Sequence, residues 1–240
     1  MPTSITKKLG GALRGLTRNA LRCLRSVVPP KKNIVDFYLH SYSSYEEYRN
    51  TQILHNERKL GQIWADETTL ARVANIVLSH APAQKEILGL CHGTRNGFEQ
   101  RYFNNQQKLN AIGTDISPTA NQFPNSVQFD FHDVNVEWVN RFDFVYSNSL
   151  DQSWQPKTAL TTWFNQVRQD GLVILEHTKS HGPGAAGKMD PFGVRPIAMP
   201  YVLTEWFGHQ ISVAHTIGKK ANNGLDCWLF VCRKLTKTIV

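Results

Sequence analysis

Glu86-Ile-Leu-Gly-Leu-Cys-His-Gly-Thr-Arg-Asn-Gly97 decides the fold. Its apolar half is the length of a buried strand, and its small, polar half is a turn. Glycine at such a turn lets the backbone approach a ligand closely. A helix starting near Phe98 would offer its first amides to a carboxylate. Many strand–helix turns carry glycine for steric reasons alone, so the segment points to an architecture before it points to a ligand.

Outward from this stretch, short apolar runs recur at 87–91, 109–114, 126–129, 142–147, 171–176, 210–216 and 226–232. Helical or loop segments separate most of them. Such alternation predicts an α/β fold: a seven-stranded, mostly parallel sheet with helices on both faces. Lys219–Gly224 is short enough for a hairpin, so the last strand is expected to be antiparallel. Upstream, residues 41–80 read as helical. Ser43 or Ser44 caps a first helix with Glu46 and Glu47 in its first turn. Leu70, Val73, Ala74 and Val77 have core spacing on a second helix, about 66–79, which Pro82 closes. The polar aromatics of this region, Tyr42, Tyr45, Tyr48, His55 and Trp64, suit either a substrate lid or a helix pair packed on the sheet.

Four further segments carry chemistry. Leu109-Asn-Ala-Ile-Gly-Thr-Asp115 is a strand ending in an acid. A carboxylate there can accept hydrogen bonds from both hydroxyls of a ribose; it can equally cap the turn before Ser117-Pro118. Val127-Gln-Phe-Asp-Phe-His-Asp133 places Asp133 just past a strand, with Asp130 as its competitor for a base-side role. Phe142-Asp-Phe-Val-Tyr-Ser-Asn-Ser-Leu-Asp151 is a hydrophobic strand ending in small polar residues, and Gln169-Asp-Gly-Leu-Val-Ile-Leu-Glu-His177 is a turn leading into a buried strand.

In this order the elements resemble the class I S-adenosylmethionine-dependent methyltransferases over about 150 residues. The resemblance implies a Rossmann-like domain, S-adenosyl-L-methionine as cofactor and methyl transfer as activity. It implies cofactor contacts at Gly89, Cys91, His92, Gly93 and Arg95 in the first strand and loop. Asp115 with Ile116 would hold the ribose, Asp133 with Val134 the adenine, and Ser147 and Asn148 would sit beside the transferred methyl. The chain departs from the family where an acid is usual and Gly89 stands, and where glycines are usual and Cys91 and Arg95 stand. We expect Arg95 to bind the cofactor carboxylate or an anionic substrate, with Glu99 on the helix facing the pocket. The alternative is a surface ion pair between the two, worth ~0.5 kcal/mol.

Candidate bases lie at the carboxyl ends of the fourth and fifth strands: Asp151, His177 and His181. The ordinary imidazole pKa suits proton transfer near neutral pH. A histidine after a strand also serves structure, and Asp151 can cap the next helix. His181 and Asp190 are only two possible metal ligands, so no metal is expected. The stretch 178–200 is irregular, with a turn expected at Met189–Gly193, and an insertion there suits an acceptor site. The loop lacks the G-x-G-x-x-G arrangement of a dinucleotide-dependent dehydrogenase.

Charge is uneven. The net charge is +8, yet residues 33–240 hold 19 basic and 19 acidic side chains. The excess is Lys7, Lys8, Arg14, Arg18, Arg22, Arg25, Lys31 and Lys32. Within 5–28, leucines and arginines fall on opposite faces of a helix, which suits an anionic membrane surface, packing on the domain, or a cleavable presequence. The organisation expected is a basic amphipathic arm (1–32), a helical extension or lid (33–83) and a methyltransferase domain (84–240). Cys23, Cys91, Cys227 and Cys232 lack disulfide or zinc spacing, which favours a reducing cytoplasm. The N-P-P-[YF] signature for amino groups of bases and glutamine is absent. Ser147-Asn-Ser-Leu150 resembles the strand ends of small-molecule and sugar methyltransferases. The expected reaction is O-methylation of a glycan, lipid-linked saccharide or other small molecule at the cytoplasmic membrane face. An RNA methyltransferase using the basic arm and a non-catalytic scaffold are the alternatives.

Overall fold

The computed structural model describes residues 36–81, 86–220 and 224–235. The amphipathic arm expected at 5–28 lies outside the described residues, as does Pro82. In chain order the elements are β1 (Phe37–Leu39), α1 (Tyr45–Arg58), α2 (Glu67–His80), β2 (Ile87–His92), α3 (Phe98–Asn104), β3 (Leu109–Asp115), β4 (Ser126–Gln128), β5 (Phe142–Ser147), α4 (Pro156–Gln166), β6 (Val167–Thr178), β7 (Phe192–Val194), α5 (Met199–Phe207), β8 (Ile211–Lys220) and β9 (Asp226–Lys234).

Seven strands form one sheet in the order β4-β3-β2-β5-β6-β9-β8. β2 pairs parallel with β3 on one side and β5 on the other, and β9 runs antiparallel between β6 and β8. The expected seven-stranded, mostly parallel α/β sheet is therefore the observed one. The period of two divides its side chains between two cores. Leu90, Val145, Val173, Leu175 and Phe230 face α4 and α5, which contribute Leu160, Trp163, Met199 and Leu203. Ile87, Cys91, Phe144, Tyr146 and Ile174 face α2 and α3, which contribute Leu70, Val73, Val77 and Phe103. The strand order reverses beside β2, so a crevice opens at the carboxyl ends of β2, β3 and β5.

Ser44 is the cap of α1: its hydroxyl accepts from Glu47 N–H at 3.2 Å, while Glu47 reaches back to the Ser43 amide at 2.9 Å. The two N-terminal helices then part company. α2 is an ordinary core helix. α1 buries Tyr48, Thr51, Gln52, His55 and Asn56, an almost wholly polar face, and has no apolar stripe to dock on a sheet.

Two elements differ from the sequence expectation. β1 and β7 pair antiparallel as a separate ribbon, Phe37 opposite Val194 and Leu39 opposite Phe192. Phe192 thus begins a strand where a turn is expected. Strands of three residues are too short for any periodicity to show. α5 follows in the stretch read as irregular, seated by Met199, Leu203 and Phe207 at steps of four. Among the described residues no helix is long and apolar enough to cross a membrane.

Gly89 shows how tightly the centre is packed. A Cβ there would lie 2.3 Å from Cζ of the fully buried Phe144 ring. Gly89→Ala is expected to lower stability by about 1–3 kcal/mol through overpacking. Denaturant titration checks this; an unchanged midpoint would mean that the ring moves aside freely.

Candidate functional site

The floor of the crevice is the turn after β2. Gly93 N–H and Thr94 N–H both donate to Thr114 O, at 2.9 and 3.0 Å, which anchors the turn to β3. Gly93 has φ +72°, and a Cβ there would strike Ser149 at 2.5 Å. Arg95 also takes a left-handed backbone, φ +48°, and its N–H donates to Asp115 Oδ2 at 3.0 Å. Asp115 Oδ1 accepts from Ser117 N–H at 2.9 Å. One carboxylate therefore joins the ends of two strands and caps the turn before Pro118. Burial raises its pKa, against the two backbone hydrogen bonds that lower it.

Two adjoining parts of one cleft, which share His55, Gly93, Arg95 and Gln152, surround this point. The smaller part is lined by Asp115, Ile116, Asp130 and Phe131 from the sheet side and by Tyr48, Gln52, His55 and Asn56 from α1. Asp130 is held by His132, whose N–H and ring Nδ1 lie 2.9 and 2.6 Å from Oδ1, and by the Tyr45 hydroxyl 2.9 Å from Oδ2. Burial alone would raise the Asp130 pKa, but the His132 contacts prevail and lower it.

The larger part runs from Gly93 and Arg95 past Glu99, Asn148 and Ser149 to Asp151, His181, Asp190 and Trp64. Asn148 Nδ2 donates to Glu99 Oε1 at 3.2 Å, whereas Glu99 Oε2 is buried with no hydrogen-bond partner. Burial pushes the Glu99 pKa up to about 7, with Glu176 adding to the rise and Asn148 opposing it. Asp151 Oδ1 is likewise buried and unpartnered, and burial, then Asp190, raises the Asp151 pKa well above its usual value. His181 Nε2 stands 3.7 Å from Asp151 Oδ2. His181 Nδ1 accepts from Thr178 N–H at 3.2 Å, so neutral His181 carries its proton on Nε2, facing Asp151. Burial, then the His177 ring, pushes the His181 pKa down to about 3.

The structure brings Gly93, Arg95, Asp115, Ile116 and Asp151 together in this cleft. Glu99, Asn148 and His181 line it too, whereas Gly89, Cys91, His92, Asp133, Val134, Ser147 and His177 lie off its walls. Gly89 is mid-strand beneath Phe144, and Cys91 faces the same core. His92 is sealed between Thr114 Oγ1 and Gln166 Oε1, each at 2.8 Å, and stacked on Trp163. Burial pushes the His92 pKa down to about 4, against the Gln166 hydrogen bond. Ser147 spends its hydroxyl on His92 O at 3.0 Å, binding β5 to β2. Asp133 gives its wall position to Asp130, and Val134 is 65% exposed. His177 is corrected as well. Its Nε2 donates to Val194 O at 2.9 Å, and its ring packs on Phe230. Of the two candidate histidines, His181 is the one that lines the cleft. No group of three or more His, Cys, Asp or Glu side chains placed to hold a metal occurs among the described residues. Of the polar face of α1, Tyr48 and His55 belong to the region read as either a lid or a packed helix pair, while Gln52 and Asn56 were missed; the helix's missing apolar stripe was the available signal.

The raised Glu99 pKa carries a stability consequence. Below pH 4.5 the acid is neutral whether folded or unfolded. Between 4.5 and about 7 the unfolded chain releases a proton that the folded chain keeps, so stability falls as pH rises through that window. Glu99→Gln is expected to be the more stable protein at pH 8, by up to about 3 kcal/mol, and to match the parent near pH 4. Denaturant titrations at both pH values check this; equal stability at pH 8 would mean that the carboxylate is already solvated or paired.

No family model matches the sequence, and no curated protein is significantly similar to it. Solved structures do match. The 1,6-didemethyltoxoflavin-N1-methyltransferase of Burkholderia thailandensis, crystallised with 1,6-didemethyltoxoflavin and S-adenosylhomocysteine, superposes with a TM-score of 0.64 at 16% identity, covering 82% of this chain and 93% of that one. The N-methyltransferase NodS of Bradyrhizobium japonicum WM9, bound to S-adenosylhomocysteine, gives 0.56 at 15% identity, over 77% and 98% of the two chains. A [4+2]-cyclase, SpnF, gives 0.51 at 10% identity, over 69% and 80%. With its strand order, its antiparallel β9 and these likenesses, the chain has the fold of the class I S-adenosylmethionine-dependent methyltransferases.

Proposed function

We propose that this chain is a methyltransferase that binds S-adenosylmethionine across the β2–β3 crevice and methylates a small polar acceptor lodged beside Asp151. The fold is shared with a cyclase, so the proposal rests on the site. The observation that carries it is Asp115, a buried carboxylate at the end of β3 that lines the cleft while bracing the glycine turn. Each Asp115 oxygen accepts one backbone N–H and the Asn56 side chain adds a third hydrogen bond, which leaves capacity on the carboxylate for a ribose hydroxyl. Asp130 and Phe131 line the same part, on the side suited to a base. Arg95 stands at the other end, where it would meet a carboxylate. The residues present fit the cofactor: its sugar, its base and its amino-acid end each meet matching chemistry along one cleft. Similar structures hold S-adenosylhomocysteine.

The bound cofactor would supply a methyl group activated on a sulfonium. What the chain contributes is position and a proton acceptor. α1 lines the smaller part with Tyr48, Gln52 and His55, which narrows it. Asp151 Oδ1 has no partner, and burial makes the ionised carboxylate a stronger proton acceptor than one in water. His181 Nε2–H faces the other oxygen and would steady the carboxylate when it is ionised.

A carboxylate base helps a hydroxyl acceptor most, because a neutral amine attacks with its own lone pair. This favours O-methylation of a polyol such as a saccharide unit. His55, Lys59, Gln62 and Asp190 give the acceptor end a polar lining that suits such a substrate. The lipid-linked form of the substrate rests on the sequence of residues 5–28 alone.

Calorimetric titration with S-adenosylhomocysteine tests the reading. Saturable binding is expected, weakened at least tenfold in Asp115→Ala as hydrogen bonds to a charged group are lost. No heat of binding at millimolar ligand would dismiss it.

A further inference from the structure

Glu99 is the one carboxylate of the methionine-side cleft that sits on the first turn of α3. It is 6% exposed, and only one of its two oxygens is hydrogen-bonded, to Asn148. A carboxylate buried with an oxygen unsatisfied is costly, and folding alone gives no return for it. Among the described residues no lysine or arginine forms a salt bridge with it. The vacancy at Oε2 therefore suits a cation that arrives from outside and donates hydrogen bonds.

The position indicates which cation. Asp115 fixes the nucleoside end of the cleft, and Glu99 lies in the adjoining part, past Gly93 and Thr94. Arg95 lines that same part and offers the opposite charge. A negative and a positive side chain at one end of a nucleoside cleft are complementary to an α-amino-acid zwitterion, ammonium to Glu99 and carboxylate to Arg95. The strand beneath offers no other acid. Gly89 has no side chain, and Phe144 occupies the space where one would begin.

We propose that Glu99 is the residue that binds the α-ammonium of the cofactor's methionine moiety, a task that β2 has no room to perform at Gly89. The inference rests on the cofactor reading above. It assigns Glu99 to ligand binding and Asn148 to positioning, since Asn148 holds Oε1 and leaves Oε2 without a partner at the cleft wall.

The test compares two ligands with a common nucleoside. S-adenosylhomocysteine carries the amino-acid group; 5′-methylthioadenosine lacks it. Both are titrated calorimetrically into the full chain and into Glu99→Gln, which keeps the shape and removes the charge. The expected result is a loss of ten- to hundredfold in affinity for S-adenosylhomocysteine and less than a twofold change for 5′-methylthioadenosine. Asn148→Ala should show the same selective loss, smaller in size. Equal affinities in parent and variant, or equal losses for both ligands, would overturn the assignment while leaving the nucleoside site standing. If neither ligand binds the parent, the cofactor reading falls and the inference falls with it.

Discussion

The carboxylate of Asp115 is the hinge of the whole arrangement. Its two oxygens reach two backbone amides, Arg95 N–H before it in the chain and Ser117 N–H after it. Without that bridge the left-handed turn at Gly93–Arg95 would be tied to β3 only by Thr114 O. The turn must hold its shape for Ser149 to donate to Gly93 O at 3.1 Å, and that bond in turn holds the end of β5 in place. Three strand ends and a helix start thus depend on one buried acid. Such an acid is expensive to desolvate, and the backbone hydrogen bonds offset part of that cost.

The polar character of the cleft follows from what covers it. α1 lies over the strand ends with a face of tyrosine, glutamine, histidine and asparagine, and α2, next in sequence, buries leucine and valine. Their neighbouring places in the chain conceal a difference in kind. Apolar helices are held by area removed from water, which has no direction. α1 is held by contacts that do have direction, among them Thr119 Oγ1 to Asn56 Oδ1 at 2.8 Å and Gln52 Nε2 to Met189 O at 3.0 Å. A cover held in this way places its side chains accurately over a ligand without filling the cavity with hydrocarbon.

The sheet was legible because seven apolar runs, each bounded by turns, leave few other topologies. The glycine turn and Asp115 were legible because their spacing is tied to that topology. What failed was orientation. His177 lies on β6 at the same parity as Val173 and Leu175, so the period of two turns it into the core, and the chain must leave the strand before His181 can look into the cleft. Cys91 follows Ile87 and Gly89 onto one core face, while His92 follows Leu90 onto the other. Asp130 and Asp133 both come after β4, which stops at Gln128, and no periodicity extends into an irregular segment to say which of them turns inward. The ribbon of β1 and β7 pairs short segments far apart in the chain, a contact that local sequence does not encode.

That ribbon does not act alone. Lys188 reaches Glu47 at 2.8 Å across 141 positions of sequence, Gln52 reaches Met189, and Arg195 reaches Asp36 at 2.8 Å. The cover and the insertion after β6 are therefore clasped together at several points and form a single rim around the opening. Choice of acceptor is then a joint property of two distant stretches of chain. A chimera that exchanged only one of them with a related protein would break the clasp, so redesign of substrate preference has to treat residues 36–66 and 178–198 as one inherited unit.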